Sequence, residues 1–287
     1  MNTKLKRISI FFILCIFFTG VIFFIKNYHD NNIENIYINY VEDILIPKYG
    51  KSSLFLENSN NLSVEGEKLL DKDAEGILFY KIINLDNNSN KNLLIVRFEI
   101  EHDSDYKGST DIILFYDLYT IDNKNIKKLN FGKNTFFENN KFYLTDNTIK
   151  NIPSKKIEVN LFIDKNKSSN YFCFNYTSIF NSKNDFNLHL KIFELNNNYS
   201  IDLKLELAPY VMHYSNSETL YKMTLFDKGG SLTFKNKTPL KNKCLSDSKK
   251  YGLDNLMENM FDNAENKSFT DISKLNNIEK IINITIK

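Results

Sequence analysis

The side chains that could carry out chemistry are few and scattered along this sequence of 287 residues. Its four histidines, His29, His102, His189 and His213, lie far apart. His102 begins the segment His-Asp-Ser-Asp, whose side-chain types can bind metals, but no second histidine is near it. We therefore expect His102 in a solvated loop. His189 stands between two leucines on the polar side of an alternating strand, and we expect it to be exposed.

The cysteines leave two interpretations open. Cys15 lies in an apolar N-terminal segment, whereas Cys173 and Cys244 lie in the body of the chain. These two could form a disulfide in an oxidising compartment, or they could remain two unpaired apolar residues. No Cys-x-x-Cys, Gly-x-Ser-x-Gly, His-Glu-x-x-His or phosphate-binding glycine loop occurs, so the sequence predicts none of those sites and no cofactor.

The N-terminal segment Ile8–Ile25 predicts a membrane helix. As a helix, these 18 residues would be about 27 Å long, close to the thickness of a bilayer core. Three cations precede the segment, which predicts that the N-terminus stays in the cytoplasm and the bulk of the chain lies outside. A cleaved signal and a lipid-anchored Cys15 are alternatives, but the bulky residues along the segment favour an uncleaved anchor.

Charge excludes one class of partner. The net charge is +2, and residues 1–26 carry four cations and no acid, so the remaining residues carry a net charge of −2. A domain of this charge has no strongly basic face, and we expect no nucleic-acid binding. The predicted partners are the membrane, through Ile8–Ile25, and an envelope protein or polysaccharide.

The sequence predicts four segments. Residues 1–26 form a cytoplasmic tip and transmembrane anchor, 27–75 a helical leader and linker, 76–236 an antiparallel β domain, and 237–287 a linker with C-terminal helices. In the leader, apolar residues from Ile33 to Leu45 recur at helical spacing, and Pro47 should end that helix. A weaker helical pattern covers Val64–Leu70.

The middle of the chain predicts strands. Runs rich in Ile, Leu, Val, Phe and Tyr, beginning with Gly76–Ile83, are separated by short turns rich in Asn and Gly. The predicted fold class is mainly β, an antiparallel meander, sandwich or barrel-like sheet, with one N-terminal transmembrane helix and short N- and C-terminal amphipathic helices. Helical spacing predicts either two C-terminal helices, over Ser248–Phe261 and Thr270–Ile282, or one marginal helix and a tail, after a lysine-rich solvated linker over Lys237–Lys250.

One loop carries a resemblance to a known group of proteins. Asn84-Leu-Asp-Asn-Asn-Ser-Asn-Lys-Asn92, between Ile82-Ile83 and Leu93-Leu94, resembles the Asp-x-Asp-x-Asp-Gly loop of clostridial-type secreted or membrane-anchored proteins and of FG-GAP-like calcium-binding repeats. The similarity extends over roughly Tyr40–Leu144. It implies a secreted β-rich protein, and it does not imply a particular activity.

The resemblance also implies a candidate calcium site at Asn84, Asp86, Asn88 and Asn92. Calcium takes six to eight oxygen ligands, and its affinity rises with the number of carboxylates. Here amides replace all the acids except Asp86, and Ser89 stands where the loop has glycine. We therefore expect a polar hairpin loop that no longer binds calcium.

The strand after this loop allows its two faces to be assigned. Leu94, Val96 and Phe98 alternate with Ile95, Arg97 and Glu99. Because Arg97 and Glu99 should reach water, we expect the first three residues to face the core. Replacing Phe98 by Ala should then be costly, and replacing Arg97 by Ala should cost under about 1 kcal/mol.

Together these patterns favour a non-catalytic role over catalysis. The function predicted is a membrane-anchored extracytoplasmic β-rich module of unknown molecular function that binds or supports something in the cell envelope. The alternative is an envelope hydrolase with a carboxylate-based site. A pocket holding two carboxylates, one with a raised pKa, would favour the hydrolase.

Overall fold

The computed structural model divides the chain into two compact units, Met1–Lys48 and Tyr49–Lys287. The residues that it describes are 19, 32–56, 61–65, 68, 71–85, 91–102, 110–123, 125–131, 140–145, 156–164, 171–179, 185–196, 200–213, 218–225, 230–266 and 278–286.

The leader is helical, as the sequence predicts, but Pro47 does not end it. Residues 32–40 are helical and continue into the π-helical turn Val41–Leu45 and the α-helical turn Ile46–Tyr49. Proline disrupts a helix because it lacks an N–H and crowds the preceding turn. The wider turn at Val41–Leu45 breaks the regular hydrogen-bond ladder just before Pro47, which accommodates the ring there.

No helix among the described residues is long and apolar enough to cross a membrane. Apart from Thr19, the predicted anchor Ile8–Ile25 lies outside the described residues.

The second unit is mainly β, as predicted, and its strands form two sheets. The strands are β1 (Asn61–Val64), β2 (Gly76–Asn84), β3 (Lys91–His102), β4 (Thr110–Asp122), β5 (Asn125–Lys128), β6 (Lys141–Thr145), β7 (Lys156–Asp164), β8 (Tyr171–Ile179), β9 (Phe186–Leu195), β10 (Ile201–His213), β11 (Thr219–Thr224), β12 (Ser231–Phe234) and β13 (Ile278–Ile286). The long sheet has the order β1-β13-β7-β8-β9-β10-β11-β12. The short sheet has the order β2-β3-β4, with β5 and β6 both pairing along the far edge of β4.

The two sheets pack face to face through a core rich in aromatic rings. Leu94, Val96 and Phe98 of β3 lie in this core, which confirms the predicted facing of the strand. Tyr116 on β4 packs against Phe174 on β8, with 4.4 Å between ring centroids. Such contacts bury large apolar areas and supply much of the free energy of folding.

Two helices cover the opposite face of the long sheet. Helix α1 (Lys237–Lys249) lies against β10, β11 and β12, and helix α2 (Asp254–Asn266) lies against β8 and β9. The predicted helix over Ser248–Phe261 therefore exists in part, as α2. The solvated linker predicted for Lys237–Lys250 is wrong: α1 buries Leu240, Cys244 and Ser248, which are spaced four residues apart and form one face of a helix.

The C-terminal segment is a strand where the sequence predicts a helix. Ile278–Ile286 forms β13, which inserts between β1 and β7. Its isoleucines at 282, 284 and 286 alternate with polar residues, and that period suits a sheet once two partners are present. β1 lies within the segment predicted as helical leader and linker, and it pairs in parallel with β13.

Cys173 and Cys244 are both buried and unpaired. Cys173 lies on β8, and Cys244 on α1 contacts the Sδ atom of Met223 on β11 at 3.8 Å. β9 and β10 lie between β8 and β11, so the two thiols pack against different strands of the long sheet. Burial raises the pKa of both thiols, that of Cys244 to about 12.

The sequence predicts that Arg97 on β3 reaches water, and this prediction is wrong because Arg97 is buried. Its side chain is only 8% exposed, and its Nε donates to Oδ2 of the fully buried Asp117 at 3.0 Å. Its guanidinium also stacks on the ring of Phe115, 3.7 Å from the centroid. Asp117 accepts further hydrogen bonds from Asn140 at 2.9 Å and from Lys128 at 2.7 Å. A charge buried with partners in this way need not reach water.

We expect Arg97→Met to destabilise the protein by about 3 kcal/mol, because it leaves the buried Asp117 carboxylate with fewer partners. The matched control is Lys128→Met, which removes a 43% exposed partner of the same carboxylate and should cost under about 1 kcal/mol. Urea unfolding followed by circular dichroism measures both. Equal costs would show that Arg97 is not part of the buried structure.

We also expect Cys173 and Cys244 to be free thiols that do not react in the native protein, because the buried thiols resist ionisation. In a Cys15→Ser variant, a thiol reagent should label neither cysteine natively. It should label both in urea without prior reduction, as counted by mass spectrometry. Labelling that requires a reductant would reveal a disulfide.

Candidate functional site

The structure does not bring the candidate calcium ligands together, as far as it describes them. Asp86 and Asn88 lie outside the described residues. Asn92 is opposite Ile83, whose side chain lies in the core between the sheets, and Asn92 is buried. Asn84, one residue beyond Ile83 on β2, is exposed. Because neighbouring residues of a strand point to opposite faces, the amides of Asn84 and Asn92 do not converge.

Among the four histidines, the structure describes the side chains of His189 and His213. His213 ends β10, where its backbone N–H donates to Oδ1 of Asp185 at 2.8 Å and its ring Nδ1 contacts the same oxygen. This pair ties the end of β10 to the start of β9. His102 ends β3, and its side chain and the following Asp-Ser-Asp lie outside the described residues, as does His29.

The described ionisable groups converge at His189, Lys191 and Glu206, which we call the rim cluster. Lys191 on β9 is directly opposite Glu206 on β10. Nε2 of His189 lies 2.7 Å from Oε1 of Glu206, and Nζ of Lys191 lies 3.6 Å from the same oxygen. The side chains of Lys191 and Glu206 are 3% and 7% exposed, and that of His189 is 19% exposed. The expectation that His189 is exposed is therefore wrong.

The rim cluster joins the two sheets at the end of their shared core. Nζ of Lys191 donates to the backbone carbonyl of Lys141 on β6 at 3.2 Å. Phe142, the next residue of β6, packs edge-on against the ring of His189 and lies beneath the ammonium of Lys191. The polar atoms of the long sheet thus meet an edge strand of the short sheet, and burial is compensated by hydrogen bonds and a cation–π contact.

Burial and charge shift all three pKa values of the rim cluster. Burial is the main cause that lowers the pKa of His189, and the hydrogen bond to Glu206 opposes it. Burial also lowers the pKa of Lys191, against the attraction of Glu206. For Glu206, burial acts to raise the pKa, but the His189 hydrogen bond and the charge of Lys191 outweigh it, so that the pKa is lowered. The carboxylate is therefore held ionised at neutral pH.

The rim cluster holds an ionised carboxylate, which cannot serve as a general acid at neutral pH. A general acid needs a raised carboxyl pKa, and Glu206 has the reverse. The sequence pattern alone predicts only part of the rim cluster. Alternation places His189 and Lys191 on one face of β9, but only the register of β9 with β10 places Glu206 beside them.

Beyond the rim cluster, the long sheet has an open face. Leu207, Val211 and Met223 pack beneath the helices, so the residues next to them on β10 and β11 point to the opposite side. On that side, the described core between the sheets reaches no farther along β10 than Ile201 and Leu203. We call the partly exposed remainder the open shelf. Its central row crosses four paired strands through Asn187, Tyr210, Lys222 and Thr233.

Among the described residues, no group of three His, Cys, Asp or Glu side chains could hold a metal ion.

Comparison of the chain with family models, curated proteins and solved structures finds no match. The resemblance of the Asn84–Asn92 loop to clostridial-type secreted proteins therefore stays a prediction.

We expect the free energy of unfolding to fall as the pH drops below about 6.5. A histidine whose pKa is lowered on folding binds protons better in the unfolded chain, so its contribution is present above the unfolded pKa and is lost toward the lower folded pKa. A His189→Gln variant should lose less stability than the wild-type protein between about pH 7 and pH 5.5. Urea unfolding at both pH values measures the difference, and equal losses would contradict a buried, neutral His189.

Proposed function

We propose that this chain is a membrane-anchored extracytoplasmic β-rich module that binds or supports another component of the cell envelope. The proposed location rests on the sequence of the N-terminus. Eighteen mostly apolar residues, Ile8–Ile25, follow three cations, a pattern typical of an anchor that leaves its N-terminus in the cytoplasm. The rest of the chain would then face the envelope.

The observation that favours binding over catalysis is the state of Glu206 in the rim cluster. It is the single carboxylate among the three converging side chains, and His189 and Lys191 both hold it in its charged form. A hydrolase that uses two carboxylates needs one of them protonated as the acid. The rim cluster instead joins the two sheets and fixes the inner end of the open shelf.

The alternative function, an envelope hydrolase, would require the charge of Glu206. If the rim cluster were catalytic, Glu206 would act as a base or nucleophile, and His189 or Lys191 would position it. Glu206→Gln keeps the shape of the side chain and removes its charge, so it would abolish such an activity. Under the proposed binding role, the wild-type protein should not release sugars or peptides from envelope preparations at all.

We expect the β domain to face outward in intact cells. Protease added to cells, with any wall removed, should digest an epitope tag fused after Lys287, because the positive-inside rule sends the chain after Lys26 across the membrane. A tag fused before Met1 is the matched control and should survive until the cells are lysed. Immunoblotting reads both tags.

Protection of the C-terminal tag in intact cells would overturn the proposed location. Release of soluble envelope fragments by the wild-type protein, lost in Glu206→Gln, would overturn the proposed binding role and establish the hydrolase. These outcomes are independent, because the first depends on orientation and the second on chemistry at the rim cluster.

A further inference from the structure

The part of the fold that the structure describes makes no use of four polar side chains on the open shelf. Asn187, Tyr210, Lys222 and Thr233 are directly opposite one another on β9, β10, β11 and β12, so they form a row about 14 Å long. Each is at least partly exposed, and no hydrogen bond or ion pair links the side chain of any of the four to another described side chain. Their hydrogen-bonding groups are therefore available to a ligand in place of water.

The charges on the open shelf favour the binding of an anionic ligand. Lys222 in the row and Lys235, which directly follows β12, have no carboxylate partner among the described residues. The acids at the border of the shelf are engaged: Glu206 is held by the rim cluster, Asp185 by His213, and Glu218, just before β11, also has a partner. This local excess of uncommitted positive charge contrasts with the net charge of −2 on the chain after residue 26.

The remaining groups of the shelf suit a sugar polymer. Tyr210 lies between Asn187 on β9 and Lys222 on β11. In the next row toward the rim cluster, the side chains on β10, β11 and β12 are small: Ala208, Thr224 and Ser231. A flat aromatic ring can stack on the apolar face of a sugar, while amide and hydroxyl groups exchange hydrogen bonds with its hydroxyls. The small residues leave room for a chain to lie across the strands.

We propose that the open shelf binds an acidic polysaccharide, a sugar polymer that carries carboxylates, with Tyr210 stacking on a sugar ring and Lys222 pairing with a carboxylate. This inference rests on the proposed role as an envelope-binding module and names the chemical class of its partner. The polymer lies along the row from Asn187 to Thr233. The apolar pair Met212 and Leu220 borders the row on the side away from the rim cluster.

The test uses the full chain purified in detergent and three probes of similar length. Polygalacturonate supplies sugars and carboxylates, dextran supplies sugars without charge, and poly-L-glutamate supplies carboxylates without sugars. Calorimetric titration measures each dissociation constant at low and at high salt. We expect measurable binding of polygalacturonate, weakened by salt, and much weaker binding of dextran and poly-L-glutamate.

Two shelf variants and two controls locate the binding. Lys222→Gln should weaken polygalacturonate binding about two- to fivefold at low salt, and the difference from wild type should shrink at high salt. Tyr210→Ala should weaken it at least about fivefold, whereas Tyr210→Phe keeps the ring and most of the affinity. Lys249→Gln, an equal loss of exposed charge on α1, should leave the affinity unchanged. Circular dichroism confirms that each variant is folded.

Four results would overturn the inference, three of them patterns of binding and the fourth an absence of polygalacturonate binding. Equal binding of poly-L-glutamate would assign the shelf to acidic proteins, equal binding of dextran would remove the role of charge, and an unchanged affinity in Lys222→Gln and Tyr210→Ala would place the site elsewhere. If polygalacturonate does not bind while the protein in cells still co-purifies with envelope material, the polysaccharide inference fails and the proposed function stands. If polygalacturonate does not bind and the protein does not co-purify with envelope material, the proposed function is wrong as well.

Discussion

The two layers that cover the long sheet do not cover the same strands, and most features of the molecule follow from this offset. The short sheet buries the apolar face from β1 to the start of β10, whereas the helices lie against β8 to β12. β8 is therefore buried along nearly its whole length, whereas β9 becomes partly exposed beyond the short sheet, at Asn187. Where the short sheet ends, polar groups are needed, and His189, Lys191 and Glu206 stand along that line.

Local pattern was sufficient to predict strands β2 to β12 and the inner face of β3, because β-branched and aromatic residues alternate there and the turns carry Asn and Gly. It failed at Arg97 and at the C-terminus for a common reason, which is that distant partners determine both. Arg97 is buried because Asp117, on the next strand, neutralises it. Ile278 and Ile282 fit a helical period as well as a strand period, and only pairing with β1 and β7 decides between them.

The rim cluster was harder to predict from the sequence than the fold. The residues singled out by type, at the Asn84–Asn92 loop and around His102, do not form a described cluster, whereas the residues that do converge are ordinary members of alternating strands. Glu206 meets Lys191 only through the register of β9 with β10, which is offset by an irregularity between Leu203 and Leu205. A shift of one residue would turn Glu206 toward the helices, so the cluster depends on a detail that composition and spacing do not carry.

The position of β13 has a consequence for how the chain is made. Asn283 on this strand donates to Asn160 on β7, 123 residues earlier, at 2.8 Å, and among the described strands β1 pairs only with β13. The ribosome must therefore synthesise the chain through β13 before the sheet can close. Until then β7 is an unprotected edge, and a chain that terminates prematurely before Ile278 would keep that edge permanently.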